Sequence, residues 1–463
     1  MTVPVTEGMA AAPDSRSAPS MVVRRHSDAG LSPTASGNLQ LVLLVDQSTP
    51  IPDGTGTFGA LGLPSFDGTQ LVFKGASADG RQAGVYRSDL SAALSRIVDQ
   101  TTEYPLSPAE LDFLRTLIPH PQPDPLTDPL NFNAFRLFEP PSISGSEIVF
   151  SGSYQQLNVG LLTGLFRVPP TDPVDRLVTT FFDTAAPNGP VLTNLARPSY
   201  SDGAAAFAAK SGTTFATGVY RRDAHGLVEL ASSATLLPGQ TVTFDDFGFS
   251  GPGGTAIAGS AVAFVGRTLT AAPNIDGVYV SENGTLTRLA DSTQRVPGTL
   301  QKFERGFLSV AGNSQQLCLL HADQGVFRRD GARIEPVVTA QTPLVSVPFL
   351  AFNTFAGVSV ADAESVAVVG GFEFQNAFLQ ARLGRGLFLD QGQGLVCVVR
   401  AQDSLVIDLP FLGDPMTMTF GGDVLNGKTV ADVGIAASGL SPTGAALSVQ
   451  FTDNSTAIYA AIP

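Results

Sequence analysis

The sequence predicts an all-β protein, a seven-bladed β-propeller made of four-stranded antiparallel blades. The first observation is a triplet of Gly, an aliphatic residue and an aromatic residue, which recurs at spacings of 48 to 80 residues. The second is that short apolar strands flank each copy, as is typical of propeller blades. The third is that the two chain ends supply complementary parts of one repeat. The triplets begin at Gly84, Gly164, Gly218, Gly277, Gly325 and Gly386, with a relaxed copy at Ala457.

The copy from Ala60 to Asp99 shows the four strands of one blade most clearly. Its strands are predicted at 61–66, 71–74, 84–88 and 94–99. Asp67-Gly68 lies between the first two, and this dipeptide indicates a tight hairpin because both residues tolerate the positive φ of such a turn. The second-strand pattern recurs seven times, whereas the fourth-strand pattern follows only six of the triplets.

The missing fourth strand is found at the other end of the chain. The sequence stops at Pro463 soon after the last triplet, and Leu39–Asp46 matches the fourth-strand pattern. We therefore expect this N-terminal strand to join the C-terminal blade, which closes the ring and removes two open sheet edges. Residues 38–463 then form the propeller, with about 61 residues per blade. Residues 1–37, rich in Ala, Ser and Pro, are predicted to be a disordered leader.

Composition argues against several classes of function. The formal net charge of -14 repels nucleic acid and anionic membrane surfaces. The sequence contains no run of about 18 apolar residues, so it predicts no membrane span. Residues 1–37 lack the apolar core of a secretory signal. Cys318 and Cys397 each lie in an apolar strand and are interpreted as buried, inert thiols that do not form a disulfide.

An insertion at about 103–131, between the first two blades, predicts one short amphipathic helix. Ser107 and Glu110 form a capping box, with Pro108 at the first helical position. The apolar residues that follow at helical spacing are candidate partner-binding residues, unless the helix packs on its own propeller. They are Leu111, Leu114, Leu117 and Ile118. Two further insertions, 371–385 and 403–428, are predicted in the hairpin of the sixth blade and before the seventh.

Three carboxylates are candidate ligands at the rim of the ring. Asp46, Asp99 and Asp291 end equivalent fourth strands, and hydroxyl residues follow each of them. A ring of such groups could hold calcium or a sugar, although Asx turns onto the following backbone explain the same pattern. No other cofactor is predicted, because the four histidines lack metal-ligand spacing. Only His321 could face the channel mouth, and a surface turn is the favoured interpretation.

Other motifs give weak signals for catalysis. Asp245-Asp246 could supply acid and base carboxylates. Residues 422–429 have the spacing of a phosphate-binding loop, but Asn426-Gly427 within them indicates a hairpin turn. The sequence contains no G-x-S-x-G motif, so serine hydrolysis loses support.

The units Leu71-Val72-Phe73-Lys74-Gly75 followed by Gly84-Val85-Tyr86-Arg87, and the unit from Gly277 to Asp291, resemble the repeats of bacterial tandem-repeat β-propeller proteins of uncharacterised function. The resemblance covers about residues 38–463 and concerns scaffold residues only. It implies the propeller fold and an extracytoplasmic or cell-surface setting in bacteria, although no signal peptide is seen. It implies no catalytic residue.

Two hypotheses for function follow from this fold. The first is a non-enzymatic binding or scaffolding propeller that presents one loop face to a protein or glycan partner. The second is a propeller enzyme, a hydrolase or lyase that acts on a carbohydrate or other small substrate at the channel mouth. An enzyme needs convergent reactive groups in a pocket, whereas a binder needs an exposed apolar patch rimmed by polar groups. We expect the first.

Overall fold

The computed structural model contains seven antiparallel sheets arranged as blades in a ring, which confirms the predicted seven-bladed propeller. The structure describes residues 22–24, 39–90, 93–108, 110, 112, 135, 137–156, 160–171, 173–185, 189–196, 198–212, 216–248, 254–270, 274–313, 315–344, 347–361, 365–376, 379–391, 395–401, 403–407, 416–420 and 423–462. No helix in these ranges is long and apolar enough to cross a membrane.

Each blade has four principal strands, from the first at the channel to the fourth at the outside. The first strands of blades 1 to 7 are Phe58–Leu61, Leu137–Phe138, Leu192–Leu195, Thr255–Ala258, Phe307–Gly312, Val347–Val360 and Lys428–Gly434. The second strands are Gln70–Ser77, Glu147–Gln156, Ala204–Ser211, Ala261–Arg267, Leu317–His321, Ser365–Asn376 and Gly444–Phe451.

The third strands carry the triplets, and the fourth strands complete the blades. The third strands are Ala83–Asp89, Gly160–Val168, Ala216–Asp223, Asp276–Glu282, Gly325–Asp330, Leu379–Gln391 and Thr456–Ile462. The fourth strands of blades 1 to 6 are Leu94–Asp99, Asp175–Thr179, Gly226–Ser232, Thr285–Asp291, Arg333–Thr339 and Val396–Arg400, and that of blade 7 is Gln40–Asp46.

Short strands occur in addition to the four principal strands of the blades. Four of them continue the first strands of blades 1, 2, 3 and 7: Ser65–Phe66, Ser142–Ser144, Ser199–Ser201 and Leu440–Ser441. Proline interrupts several of these first strands, and it is tolerated because an innermost strand has one edge without a ladder partner. The others are Val22–Arg24, Pro343–Leu344, Val424–Leu425 and a separate hairpin of Asp403–Ile407 with Met416–Phe420.

The chain ends close the ring as predicted. Gln40–Asp46 pairs antiparallel with Thr456–Ile462, so that Val42 lies opposite Ala460. Leu41 is fully buried in the hydrophobic core of blade 7, which shows that this strand belongs to the packed interior. Of the predicted leader, Val22–Arg24 pairs in parallel with the start of the same strand, and residues 1–21 and 25–38 lie outside the described residues.

The glycine of the triplet allows the fourth strand to approach closely. In blades 1 to 6 the pairing register shifts opposite the second and third residues of the triplet, which marks a bulge in each blade. A Cβ atom added at Gly84 would lie 2.4 Å from the Val98 carbonyl oxygen, and one at Gly325 would lie 2.1 Å from that of Val338. The repeated glycine is therefore a steric requirement of the bulged blade.

The aromatic residue of the triplet packs in a core cluster that two neighbouring blades share, as Tyr86 of blade 1 does with Ile458 of blade 7. The Tyr86 ring lies 5.0 Å from the Phe58 ring and 5.8 Å from the Phe73 ring, and all three are buried. Tyr279 packs in the same way, 4.8 Å from Phe244. Burial, reinforced by the charge of Asp99, raises the pKa of Tyr86 to about 12. These tyrosines therefore act as neutral core residues.

The innermost strands meet in a closed cycle around the channel. Small residues occupy one equivalent position in every blade, namely Ser65, Ser142, Ser199, Ala256, Ala311, Ser359 and Gly439. The Ser65 hydroxyl accepts the Ile143 N–H at 3.1 Å and lies 2.7 Å from the Ser438 hydroxyl. One side chain of blade 1 thus links blades 2 and 7.

Two kinds of connection lie at the same end of the blades. Because adjacent strands are antiparallel, the crossovers from a fourth strand to the next blade and the turns between second and third strands share one face. We call this end the crossover face.

The insertion after blade 1 leaves from the crossover face, and its predicted capping box is present. The Glu110 carboxylate accepts the Ser107 N–H at 2.8 Å and the Ser107 hydroxyl at 2.7 Å. The candidate residues Leu111, Leu114, Leu117 and Ile118 lie outside the described residues.

Candidate functional site

Exposed apolar side chains concentrate on the crossover face. In the described part of the chain, seven large hydrophobic residues are exposed, and only Val228, on the fourth strand of blade 3, lies away from this face. The other six are Phe181, Val191, Leu236, Leu269, Leu300 and Val424. Five of these lie on connections of this face between the crossover after blade 2 and the crossover before blade 5. We call these five, Phe181, Val191, Leu236, Leu269 and Leu300, the apolar arc.

Ordered hairpins hold the apolar arc in place. In the crossover to blade 4, the Leu237 N–H donates to the Val242 carbonyl at 2.9 Å, and Leu237 is buried while its neighbour Leu236 is 56% exposed. The crossover to blade 5 has the same design, with Val296 buried and Leu300 84% exposed. One residue of each hairpin therefore anchors the loop and another projects into solvent.

The Asp245-Asp246 pair shapes the arc. The Asp245 carboxylate accepts the backbone N–H groups of Leu269 and Thr270 at 2.6 and 3.0 Å, and these bonds lower the pKa of Asp245. Asp246 lies 3.8 Å from Arg267. These contacts show Asp245 holding the turn that begins at Leu269, while Asp246 pairs with the strand before it.

The three rim carboxylates each close a turn within their own loop. The Asp46 carboxylate accepts the Ser48 N–H at 2.9 Å, and that of Asp291 accepts the Thr293 N–H at 2.9 Å. Asp99 accepts the Thr101 N–H at 2.8 Å and pairs with Arg96 at 2.8 Å. Burial opposes ionisation of Asp99, but the hydrogen bonds from Thr101 and Arg96 outweigh it and lower the pKa of Asp99.

The equivalent positions in three other blades are not carboxylates. Thr179, Ser232 and Thr339 also end fourth strands, and their N–H groups bond a nearby side chain just as those of Asp46, Asp99 and Asp291 do. The loop geometry is thus shared, while the negative charge is not. Within the described ranges, no group of three or more His, Cys, Asp and Glu side chains is placed to hold a metal ion.

His321 is buried, and its interpretation as a surface-turn histidine is wrong. The ring is fully covered, with Nε2 3.0 Å from the Glu304 carbonyl oxygen and Nδ1 accepting the Asp323 N–H at 3.3 Å. This network assigns a neutral ring with its proton on Nε2. The crossover to blade 5 covers the end of the second strand, and His321 holds that loop through its hydrogen bond to the Glu304 carbonyl oxygen.

Acid should destabilise the protein through His321. Burial lowers the pKa of His321, against the opposing influence of the Glu304 carbonyl and the carboxylates of Asp323, Asp276 and Glu304. The unfolded histidine binds a proton more readily, with a pKa of about 6.5. The free energy of unfolding is therefore highest above that pH and decreases as the pH falls below it. We expect His321→Gln to flatten the dependence of the urea midpoint on pH between about 7 and 5.

His225, exposed in a turn, provides the matched control. His225→Gln should keep the pH dependence of the parent protein. Parallel curves for the parent and His321→Gln would contradict the buried, neutral assignment.

Two cavities of the central channel are lined by described residues. The first has a volume of about 40 Å³ and is lined mainly by Pro, Ser, Ala and Thr of the first strands, together with Tyr200. The second, of about 200 Å³, lies between blades 5, 6, 7 and 1, and includes the ion pair of Arg385 and Asp432. The sequence gives no sign of this pair, because the two residues are 47 positions apart and belong to no motif.

The match to a phosphate-binding loop is a hairpin. Val424–Leu425 pairs with the start of Lys428–Gly434, and Asn426 and Gly427 between them have φ of 50° and 75°. The Lys428 ammonium pairs with Asp453 at 2.9 Å. The segment therefore starts blade 7.

A protein-family comparison matches most of the ring. Residues 143–445, from blade 2 into blade 7, match DUF7453, which is described as a family of unknown function. The chain belongs to the DUF7453 family. A comparison with curated proteins gives no match to this DUF7453 chain.

Three solved structures are similar to this chain at low identity. The β-propeller domain of the trilobed protease from Pyrococcus furiosus is 8% identical, with a TM-score of 0.40 over 79% of this chain and 96% of that one. A prolyl endopeptidase is 12% identical, with a TM-score of 0.46 over 87% and 47%. The polysaccharide lyase Uly1 is 9% identical, with a TM-score of 0.44 over 95% and 96%. At such identities no activity carries over to this DUF7453 chain.

Proposed function

We propose that this chain is a non-enzymatic binding propeller whose crossover face docks a partner protein. The apolar arc is the observation that carries the proposal. Its five residues are 36% to 84% exposed and lie on consecutive blades. Exposed apolar side chains gathered on one face of a folded domain are typical of interaction sites, because leaving them in water is unfavourable.

The side chains of the arc favour a protein over a glycan. Four of the five are aliphatic, and aliphatic groups gain most by packing against apolar groups of another protein. Glycan recognition benefits from Tyr and Trp, which join an apolar face to a hydrogen-bonding tip. The chain has no Trp, and six of its seven tyrosines are buried, the seventh being Tyr154, whose side chain is not described.

Two carboxylates of the crossover face, Asp276 and Asp245, are engaged by the scaffold and so favour binding over hydrolase or lyase chemistry. Asp276 is buried, accepts the Gly306 and Phe307 N–H groups at 2.8 and 3.1 Å, and pairs with Arg267 at 3.0 Å. Asp245 is likewise engaged with backbone N–H groups. Carboxylates engaged in this way support a scaffold that positions loops. The extracytoplasmic bacterial setting is part of the same proposal and derives from the resemblance of the repeats.

Charges placed in the arc should abolish partner binding. We expect the triple variant Leu236→Asp, Leu269→Asp, Leu300→Asp to weaken binding at least about 100-fold, since docking would bury three unpaired carboxylates. The partner is first captured on the immobilised parent protein, identified by mass spectrometry and purified. Its affinity for each variant is then measured by biolayer interferometry, with circular dichroism to confirm folding.

Val228→Asp is the control, because Val228 is 51% exposed but lies on the outer strand of blade 3. This variant should bind the partner as the parent does. Equal binding by the triple variant, or an equal loss in Val228→Asp, would overturn the proposal. The contribution of Leu111, Leu114, Leu117 and Ile118 stays a prediction, and Leu114→Asp with Leu117→Asp tests it in the same assay.

A further inference from the structure

The larger channel cavity combines an aliphatic wall with a single ion pair. Leu63, Val358, Val369, Val433 and Ile435 contribute apolar side chains to it. Arg385 Nη1 lies 3.2 Å from Asp432 Oδ1, and the two side chains are 45% and 48% exposed. Small-molecule sites in proteins have this composition, a mostly apolar lining with a few convergent polar groups.

The ion pair uses only part of its hydrogen-bonding capacity. Asp432 Oδ1 accepts both Arg385 and the Val433 N–H, at 3.2 and 2.9 Å, while Oδ2 has no hydrogen-bond partner among the described residues. One of the five N–H donors of the guanidinium serves this bond. A carboxylate oxygen and a guanidinium edge are therefore available to a ligand side by side.

In the neighbouring ion pair of Arg400 and Asp423, both carboxylate oxygens accept hydrogen bonds. Arg400 contacts Asp423 Oδ1 through Nε at 3.3 Å and Nη2 at 3.0 Å, and its backbone N–H donates to Oδ2 at 2.8 Å. Both carboxylate oxygens are occupied there. Neither residue lines the cavity, so this pair serves the scaffold.

The backbone beside the cavity is irregular in a way specific to blade 6. Its first strand has two register shifts in the described residues, whereas those of blades 1, 3, 5 and 7 have one each. The second shift leaves Ala356 without a ladder partner, and Ala356 and Gly357 line the cavity. Bulges redirect backbone and side chains and occur preferentially next to functional sites.

We propose that this cavity binds a small zwitterion, a free α-amino acid with an aliphatic side chain. Arg385 holds the ligand carboxylate through paired N–H donors, and Asp432 Oδ2 accepts the ammonium group. The aliphatic wall receives the side chain. The volume of about 200 Å³ lies below the roughly 300–1,000 Å³ typical of drug-sized ligands, which selects a molecule of this small size. The proposal is independent of the partner protein at the crossover face.

Calorimetric titration with L-leucine tests this inference on the full chain. We expect saturable binding that is weakened at least about tenfold in Arg385→Gln and in Asp432→Asn, since each variant removes one charged hydrogen-bonding group. Arg400→Gln, the control outside the cavity, should bind leucine as the parent does. 4-Methylpentanoate, which lacks the ammonium group, and isopentylamine, which lacks the carboxylate, should each bind at least about tenfold more weakly than leucine.

Three results would overturn the proposal. One is the absence of leucine binding up to about 10 mM, a concentration at which even millimolar affinity is detected. Another is 4-methylpentanoate or glucose binding as tightly as leucine, which would show that the zwitterion is not recognised. The third is an equal effect of Arg400→Gln and Arg385→Gln. Thermal shifts of the variants without ligand show whether any loss of binding reflects unfolding.

Discussion

Replacing Leu41 by aspartate is expected to lower the free energy of unfolding by at least about 3 kcal/mol. Leu41 is fully buried and belongs to the core of blade 7, together with Leu447 and Tyr459. The change removes a packed side chain and places a carboxyl group among apolar neighbours, where it has to be desolvated. Because this strand closes the ring, blade 7 should open first. Urea denaturation and limited proteolysis measure both effects.

Gln40→Asp is the control on the same strand, because Gln40 is partly exposed and already polar. It should leave the free energy of unfolding within about 0.5 kcal/mol of the parent value. If Leu41→Asp were as stable as Gln40→Asp, the N-terminal strand would not be part of the core, and the ring would not be closed in this way.

The second large effect is expected at the glycine of the fifth triplet. Gly325 has a φ of +132°, and a Cβ atom there would lie 2.1 Å from the Val338 carbonyl oxygen. Gly325→Ala therefore combines backbone strain with a collision that only a shift of the fourth strand relieves. We expect a loss of about 3 kcal/mol or more in the free energy of unfolding, measured by urea denaturation.

Gly331→Ala separates strain from collision in the same blade. Gly331 has a φ of +57°, but a Cβ atom there would have nothing within 4 Å. This variant should lose only about 1–2 kcal/mol, the cost of a left-handed alanine. Equal losses in the two variants would show that close approach of the fourth strand is not the reason for the repeated glycine.

The ring was predictable because its determinants repeat. The triplet supplies a glycine for the bulge and an aromatic residue for the blade interface, so each blade leaves the same signature. The closing strand was predictable for the same reason, since Leu39–Asp46 shows the fourth-strand pattern without a triplet before it. The small residues of the inner cycle were missed, because Ser65, Ala256 and Gly439 share size and not chemistry.

The apolar arc was not predictable from the sequence. Leu236 and Leu237 are adjacent and identical, yet one is 56% exposed and the other is buried. Which of the two is buried depends on the hairpin formed by the Leu237 N–H and the Val242 carbonyl, a detail of loop geometry. His321 was misplaced for a related reason, since the crossover that covers it lies 17 residues earlier in the sequence, at Glu304.

Hydrogen–deuterium exchange on the complex tests the central claim, that the crossover face is the binding surface. The captured partner should slow exchange in the loops around Phe181, Leu236, Leu269 and Leu300. The turns at the opposite end of the blades, such as Asp202-Gly203 and Asn283-Gly284, should exchange at the same rate with and without it. Protection of those turns, with unchanged exchange in the crossover loops, would contradict the account.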